Sequence, residues 1–252
     1  MSSQHTNDTS DVPAVGADSP FRQEHVLRDE APQFVLPLVV RIEKTEPPAR
    51  TDALETAARA VLVLLTDERA RDEGEWAEAV RDWQDARIRK VVRRARGAEW
   101  RKAETLPGVT VTSDDGTQVR VFPPVPLDGW PKELAKLQVS GTDLDDPEPV
   151  APATGPGLPV LWLNPDLDMS AGKAMAQAGH AAQLAWWELT GAERTAWQDS
   201  GFRLAVRTSA RERWAELSGS GLPVVRDAGF TEIAPGSCTV VADHPALRAR
   251  LR

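Results

Sequence analysis

Three polar side chains recur at helical spacing late in the chain. Lys173, Gln177 and His180 stand at positions i, i+4 and i+7, so a helix would project all three from one face. Lys173 would lie in the first turn, where backbone N–H groups lack helical partners and the helix dipole is positive. Such a helix end suits an anion or a developing oxyanion. The alternative is an amphipathic helix that turns its polar stripe to water, and spacing alone leaves both interpretations open.

A second group of residues with chemical potential follows a later apolar run. Asp227 ends that run, Thr231 offers a hydroxyl, and Gly229 and the pair Pro235 and Gly236 are turn formers. Loops at strand ends in α/β sheets commonly supply catalytic groups. The alternative is a structural turn in which Asp227 and Thr231 cap their own backbone.

The segment that would position Lys173 reads as strand, turn and helix. The apolar run 158–163 has strand length, 164–166 consists of turn formers, and Ser170 can cap the helix that follows. Three later runs have strand composition: 202–207, 222–227 and 238–243. Ser209 is predicted to cap a helix between the first two. Strands that alternate with helices predict an α/β layered sheet.

The early part of the chain repeats this order of elements. A strand is predicted over 34–42, and a helix follows over 51–65 with Thr51 or Asp52 as its N-cap. Two pairs of tryptophans have the same spacing of 17 residues: Trp83 and Trp100 (100 − 83), and Trp197 and Trp214 (214 − 197). Equal spacing within the same order of elements favours a duplication over two unrelated α/β segments of similar composition.

Composition divides the chain into four parts. Residues 1–31 are polar and poor in large apolar side chains, which predicts a disordered tail. Residues 32–139 form the first half, 158–252 form the second half, and the Pro-, Asp- and Gly-rich segment 140–157 is predicted to link them. The acidic run 143–148 in this linker is interpreted as a solubilising spacer.

Charge and residue usage limit the classes of function. The 252 residues carry a formal net charge of −8, so binding to RNA would need a local basic patch. The single cysteine excludes an intramolecular disulfide and indicates no metal cluster. We expect a cytoplasmic protein, because the sequence shows neither a run of transmembrane length nor a secretory core.

Two motifs in the second half resemble a known family. DLDMSAGKAMAQAGHAA (166–182) and DAGFTEIAPGSCTVV (227–241) are similar to the signatures of the archaeal and eukaryotic (type 2) peptidyl-tRNA hydrolases, approximately DLKMGKGKxAAQxxHA and DAGxTQIxPGTxTV. The resemblance covers the whole second half, in the same order. It implies a compact fold with a small mixed sheet and helices on both faces. It also implies hydrolysis of the ester between a peptide, or an N-blocked amino acid, and tRNA, with no metal or organic cofactor.

The motifs carry the family's positions onto this sequence, and the chemistry of the residues suggests their roles. Lys173, Asp227 and Thr231 are the expected catalytic residues. We expect Asp227 to act as base or water-orienting group, Lys173 with the helix N-terminus as oxyanion or phosphate ligand, and Thr231 to position the water or the ribose oxygen. For His180 the alternative is a structural hydrogen-bond donor. The expected substrate-binding residues are Gly172, Gln177, His180, Gly229, Pro235, Gly236 and Ser237. Ser237 is not assigned as a nucleophile, because no activating base accompanies it in the sequence.

Departures from the signatures keep other functions open. Asp168 and Ala171 stand where the family usually has lysines, and Phe230, Glu232 and Ser237 replace the usual polar or basic residue, Gln and Thr. These changes weaken an anion-binding surface. The alternatives are a hydrolase of the same fold that acts on another ester or amide, and a non-catalytic binding or scaffold protein.

The first half looks like a degenerate copy of the second. Its predicted helix contains no lysine, and the loop 113–117 is too short for the second signature, so we expect no active site there. It is predicted to pack against the second half as an intramolecular pseudo-dimer, and a homodimer is the alternative. Its basic residues are candidates for binding RNA phosphates: Arg87, Arg89, Lys90, Arg93, Arg94 and Arg96. A solvated strand and helix face is the alternative for this basic cluster.

Overall fold

The computed structural model describes residues 33–153, 155, 157–227 and 233–251. The predicted disordered tail, and Gly229 and Thr231 of the predicted site, lie outside these described residues. None of the helices described is both long and apolar enough to span a bilayer.

The first half contains five strands, four α-helices and a short 3-10 helix (Glu68–Ala70) in its described residues. In chain order they are β1 (Phe34–Arg41), α1 (Arg50–Thr66), α2 (Ala77–Asp85), β2 (Arg89–Ala95), α3 (Gly97–Glu104), β3 (Val109–Thr112), β4 (Gln118–Val121), β5 (Val125–Pro126) and α4 (Lys132–Ala135). The second half contains β6 (Val160–Leu163), α5 (Ala171–Glu188), α6 (Gly191–Asp199), β7 (Ala205–Thr208), α7 (Arg211–Ser218), β8 (Val224–Arg226), β9 (Cys238–Asp243) and α8 (Pro245–Ala249).

The two sheets have the same topology. In the first half β1 pairs parallel to β2 and antiparallel to β4, which pairs antiparallel to β3. In the second half β6 pairs parallel to β7 and antiparallel to β9, which pairs antiparallel to β8. The strand orders are therefore β2-β1-β4-β3 and β7-β6-β9-β8, with β5 added beside β1. Two mixed sheets flanked by helices confirm the α/β fold, and their common topology agrees with a duplication.

The repeat extends to the turns that follow the paired tryptophans. Trp83 Nε1 donates to the carbonyl oxygen of Arg89 at 2.8 Å, and Trp197 Nε1 donates to that of Arg203 at 3.0 Å, six residues on in each case. The residue before the acceptor has a left-handed φ in both halves, 43° at Ile88 and 57° at Phe202. Both indoles are buried, so each anchors its turn to the core by packing and by a hydrogen bond.

Two predicted N-caps are wrong. Helix α1 begins at Arg50 after Ala49, so Thr51 lies inside the first turn, and its N–H donates to Asp146 Oδ1 at 2.8 Å. Helix α7 follows Ala210, and the hydroxyl of Ser209 donates to the carbonyl oxygen of Ala210. At α1 a carboxylate distant in sequence makes the hydrogen bond that a local cap would otherwise make.

The segment between the halves is more than a solubilising spacer. Thr142 and Leu144 are buried, and Thr142 Oγ1 accepts a hydrogen bond from the Gly172 N–H at 2.9 Å, in the first turn of α5. Asp146 accepts from both the N–H and the hydroxyl of Thr51, each at 2.8 Å. This segment therefore satisfies donors at the start of α1 and of α5, the corresponding helices of the two halves.

Small residues let α1 and α5 pack closely across the junction of the two halves. A Cβ atom on Gly179 would lie 2.9 Å from Val61 Cγ2 and 3.3 Å from Lys90 Cδ. The close contact between the two helices therefore requires glycine at this position. Glu55 of α1 also reaches the second half, where Oε1 accepts from the Val206 N–H at 3.0 Å and from Arg207 Nη1 at 2.6 Å. One apolar core runs through both halves.

Candidate functional site

Lys173 and Asp227 form an ion pair beside a buried amide. Lys173 Nζ lies 2.5 Å from Asp227 Oδ2, and Gln177 Nε2 donates to the same oxygen at 2.8 Å. The two charged side chains are only 12% and 7% exposed, so the pair is largely shielded from solvent. The helical spacing of Lys173 and Gln177 thus places both donors on one carboxylate.

Thr239 extends this network and was missed as a site residue from the sequence. The Thr239 hydroxyl donates to Gln177 Oε1 at 2.7 Å, and the Thr239 side chain on β9 is fully buried. This contact orients the Gln177 amide with Nε2 toward Asp227. Thr239 belongs to CTVV at the end of the second motif, and this match could have identified it from the sequence.

The start of α5 is capped by Ser170 as predicted, and the N–H groups of Gly172 and Lys173 have acceptors within the chain. Ser170 Oγ accepts from the Lys173 N–H at 3.3 Å, and Thr142 Oγ1 accepts from the Gly172 N–H. The Ala174 N–H donates to the carbonyl oxygen of Ser170. The N–H groups of Gly172 and Lys173 thus have acceptors within the chain, and the Lys173 ammonium has one in Asp227.

The turn formers after Asp227 close the base of its loop. Pro235 and Gly236 occupy a turn in which Gly236 has a φ of 80°, a value that favours glycine. The Gly236 N–H donates to the Asp227 carbonyl oxygen at 2.7 Å, and the Asp227 N–H donates to that of Ser237 at 2.9 Å. The Ser237 hydroxyl donates to the carbonyl oxygen of Ala234. These bonds hold the backbone of Asp227 at the end of β8.

The ion pair lies on one wall of a cavity of about 540 Å³ between the two halves. The second half contributes Ser170, Gly172, Lys173, Ala176, Gln177, His180, Leu184, Val225, Arg226 and Asp227 to its lining. The first half contributes Val35, Arg87, Ile88, Arg89, Lys90, Val91, Val92, Leu127 and Val139. The polar stripe on α5 therefore faces this cavity, and Gln177 is buried.

His180 is joined to the first half through Lys90. Lys90 Nζ lies 3.3 Å from His180 Nδ1, 2.6 Å from Gln183 Oε1 and 3.2 Å from the Ile88 carbonyl oxygen. Burial lowers the pKa of Lys90 well below its ordinary value. Burial, with the nearby Lys90 and Lys173, likewise lowers the pKa of His180, which favours the neutral imidazole at neutral pH.

The basic cluster of the first half is divided by the fold. Arg87, Arg89 and Lys90 line the cavity. Arg93 donates to the carbonyl oxygens of Ala135 and Leu137 and lies over the Trp130 ring, whereas Arg94 is bound to Gln138 and Ser140. Arg96 lies beside a separate polar depression. Only part of the predicted cluster is therefore positioned near the ion pair.

The corresponding pair in the first half has different chemistry. Asp52 is the third residue of α1, as Lys173 is of α5, and Ser113 follows β3 as Asp227 follows β8. Ser113 Oγ donates to Asp52 Oδ2 at 2.7 Å. The seventh helical residue is Thr56 in place of Gln177. In the first half the carboxylate of Asp52 therefore stands where the second half has the ammonium of Lys173.

The described part of the chain contains no set of side chains that could bind a metal ion. Among residues 33–153, 155, 157–227 and 233–251, no group of three or more His, Cys, Asp or Glu side chains could hold a metal ion. The polar groups that line the cavity are a carboxylate, two lysine amines, an amide, an imidazole, a hydroxyl and three guanidinium groups.

Comparison with known proteins identifies the second half. The model of the family described as peptidyl-tRNA hydrolase PTH2 matches residues 159–252. Peptidyl-tRNA hydrolases from two strains of Halobacterium salinarum, R1 and NRC-1, are each 32% identical to this chain over 94 residues, which are 34% of this chain and 84% of the relative. The ion pair, Gln177, His180 and Thr239 all lie in the matched segment. The chain therefore belongs to the PTH2 family of peptidyl-tRNA hydrolases.

Proposed function

We propose that this protein hydrolyses the ester bond between a peptide, or an N-blocked amino acid, and tRNA, releasing free tRNA. Family membership supports this reaction, and the observation that carries it is the shielded Lys173–Asp227 pair on the wall of the cavity. An ester hydrolase needs a group that orients or deprotonates water and a donor for the developing oxyanion. A carboxylate and an ammonium held together meet both needs.

The proposed reaction is an attack of water on the ester carbonyl carbon. Asp227 orients the water and accepts its proton, and the carbonyl oxygen becomes an oxyanion that receives a hydrogen bond from Lys173 Nζ. Collapse of the tetrahedral intermediate breaks the bond to the ribose oxygen, which takes up the proton that Asp227 accepted, and the carboxylic acid product loses its own proton to solvent. The products are a peptide carboxylate and a tRNA with a free terminal hydroxyl.

The hydrogen bonds around Asp227 suit the separate roles proposed for the carboxylate and the ammonium. When Lys173 turns from the carboxylate to the oxyanion, Gln177 still donates to Asp227 Oδ2, and Thr239 still holds the amide of Gln177. The carboxylate therefore keeps its orientation during the reaction. We propose Thr231 as the group that positions the water or the ribose oxygen, and Gly229 as a substrate-binding residue, on the strength of the second motif.

Gly172, His180, Pro235, Gly236 and Ser237 stay proposed substrate-binding residues, on the basis of the motifs they belong to. His180 has the additional support that it lines the cavity. Arg87 and Arg89, which line the cavity from the first half, are proposed to bind phosphates near the terminal ribose.

The cytoplasm, where translation takes place, is the proposed compartment. The intramolecular pseudo-dimer is proposed in preference to a homodimer, because equivalent helices already pack within one chain.

The test is release of N-acetylated amino acids from tRNA by the purified protein at low salt. Lys173→Ala and Asp227→Ala should each lower kcat/KM by about a hundredfold or more, the usual cost of removing one preorganised group. Asp227→Asn should lose activity to a similar extent while preserving shape. Asp52→Ala, at the equivalent position in the first half, is the matched control and should retain activity.

Folding must be checked, because removal of one partner leaves a buried charge and can cost about 3–5 kcal/mol. Circular dichroism and a thermal midpoint for each variant separate this loss from a loss of chemistry. Absence of turnover by folded wild type at high enzyme concentration would refute the proposed reaction. Full activity of both Lys173→Ala and Asp227→Asn would refute the assigned site.

A further inference from the structure

The cavity wall supplied by the first half contains a cluster of aliphatic side chains. Ile88, Leu127 and Val139 of the first half line the same cavity as Lys173 and Asp227. They are joined there by Val35 and by Leu184 of α5, which completes an aliphatic surface. These first-half residues lie outside the segment matched by the PTH2 family model, so the family alone does not predict their presence at the site.

Two of these side chains are exposed where burial would be favourable. Leu127 is 44% and Val139 is 51% exposed, and they are among only five large apolar side chains that are exposed in the described part of the chain. Both lie on the cavity, whereas Val150, also exposed at 41%, is not among its lining residues. Apolar side chains collected around a cavity commonly mark a surface that a ligand covers.

The size of the cavity restricts what can enter. A volume of about 540 Å³ is in the usual range for small-molecule sites, so it can hold the acylated end of a tRNA but not a nucleic-acid helix. The group next to the scissile ester on the acyl side is an amino-acid side chain, and on the other side it is the terminal nucleoside. The N-acyl group on the same α-carbon begins with a polar amide, so the candidates for the aliphatic wall are the amino-acid side chain and the nucleoside.

The chemistry of the wall favours the amino-acid side chain. Single-stranded bases are usually bound by stacking on aromatic rings. Among the described lining residues of the cavity there is no Phe, Tyr or Trp side chain, and the ring of His180 is in contact with Lys90. The aliphatic wall itself consists of Val, Ile and Leu side chains and offers neither a ring nor a guanidinium plane on which a base could stack. Aliphatic groups of this kind gain most from the burial of another aliphatic group.

We propose that Ile88, Leu127, Val139 and Leu184 form a subsite for the side chain of the amino acid whose carboxyl group makes the ester. This inference rests on the proposed function and adds a specificity to it. The degenerate half thereby takes part in substrate selection, by providing a wall against which a large aliphatic side chain is buried. Substrates esterified through leucine are expected to react more efficiently than those esterified through glycine.

The experiment compares one tRNA carrying N-acetylleucine or N-acetylglycine as substrates of the full-length protein. Because the two esters differ in intrinsic reactivity, each variant is compared with wild type on the same ester. Leu127→Ser and Val139→Ser should each lower kcat/KM for the leucyl ester by roughly tenfold, the usual effect of one or two methylene contacts in a pocket. They should change kcat/KM for the glycyl ester by less than about twofold.

Val150→Ser is the matched control, since it also replaces an exposed valine but lies away from the cavity, and it should leave both esters unaffected. Equal losses on both esters with Leu127→Ser and Val139→Ser, or no loss on either, would overturn the subsite while leaving the hydrolase function intact. Absence of turnover of either ester by wild type would overturn the hydrolase function, and the subsite with it.

Discussion

Lys90 Nζ lies 3.3 Å from His180 Nδ1, and this contact joins strand β2 of the first half to helix α5 of the second. Lys90 also reaches Gln183 Oε1 and the carbonyl oxygen of Ile88, and its ammonium lies 4.8 Å from the centre of the Trp83 ring. A buried lysine is thus supported by neutral acceptors and an aromatic face. The cost of burying its charge should be visible in the stability of the whole chain.

Lys90→Met should change how the free energy of unfolding depends on pH. Burial lowers the pKa of Lys90 in the folded chain below the ordinary value of 10.5, which the unfolded chain retains. Between the two values the unfolded state binds more protons, so wild type gains stability as pH rises through this window. Relative to the variant, the gain should reach at most about 1.4 kcal/mol per pH unit.

Urea unfolding of both proteins from about pH 7.5 to about pH 10 measures this difference. The variant also removes the hydrogen bonds from Lys90 to His180 and Gln183. This loss lowers the stability of the variant by an amount that does not change with pH as the titration of lysine does. The titration of His180 falls below this range because its pKa is also lowered, first by burial and then by Lys90 and Lys173. A difference between the two proteins that stays constant with pH would contradict the lowered pKa of Lys90.

Gly179→Ala should destabilise the protein although alanine favours helices. Alanine in place of glycine inside a helix gains about 1 kcal/mol from propensity. The new methyl group would lie 2.9 Å from Val61 Cγ2 at the contact between α5 and α1, and overpacking costs about 1–3 kcal/mol. The net effect should be a lower free energy of unfolding, as measured with urea.

Gly191→Ala is the control for Gly179→Ala. Gly191 is the first residue of α6, and a Cβ atom there would meet no heavy atom within 4 Å. This variant should be neutral or slightly more stable than wild type. If both variants gain stability alike, close packing between the halves at Gly179 does not constrain the chain.

Asp146→Ala should destabilise the chain by about 0.5–2 kcal/mol, the usual cost of losing a helix N-cap. Its carboxylate accepts from the N–H and the hydroxyl of Thr51 in the first turn of α1. Asp146→Asn should keep part of this stability, because the amide oxygen can still accept one of the two bonds. Chemical denaturation of the three proteins gives the comparison.

Asp143→Ala provides the matched control from the same acidic run, since Asp143 is exposed. Its removal should change stability by no more than about 0.5 kcal/mol, as for most surface substitutions. Equal effects of Asp146→Ala and Asp143→Ala would indicate that the run acts through its overall charge, as a solubilising spacer would, and that the contact with Thr51 adds nothing.

The sequence by itself determined the order of several strands and helices and the placement of Lys173 and Gln177 at the site. Apolar runs, turn formers and helical spacing predicted β1, β6, α5 and β9, and the equal spacing of the tryptophans predicted a duplication, which agrees with the common topology of the two sheets. These features are encoded locally, because strand and helix periodicities act over a few neighbouring residues. The same periodicity placed Lys173 and Gln177 on one helical face.

The tertiary structure decided what that face meets. A polar stripe has the same spacing whether it faces water or a cavity, so only packing shows that Gln177 is buried and that Asp227, 54 residues from Lys173, completes the pair. The predicted N-cap of α1 was wrong for a related reason, since the Thr51 N–H in its first turn donates to Asp146, far away in sequence. Burial and hydrogen bonding between distant segments depend on which surfaces exclude water together, and short-range patterns do not carry that information.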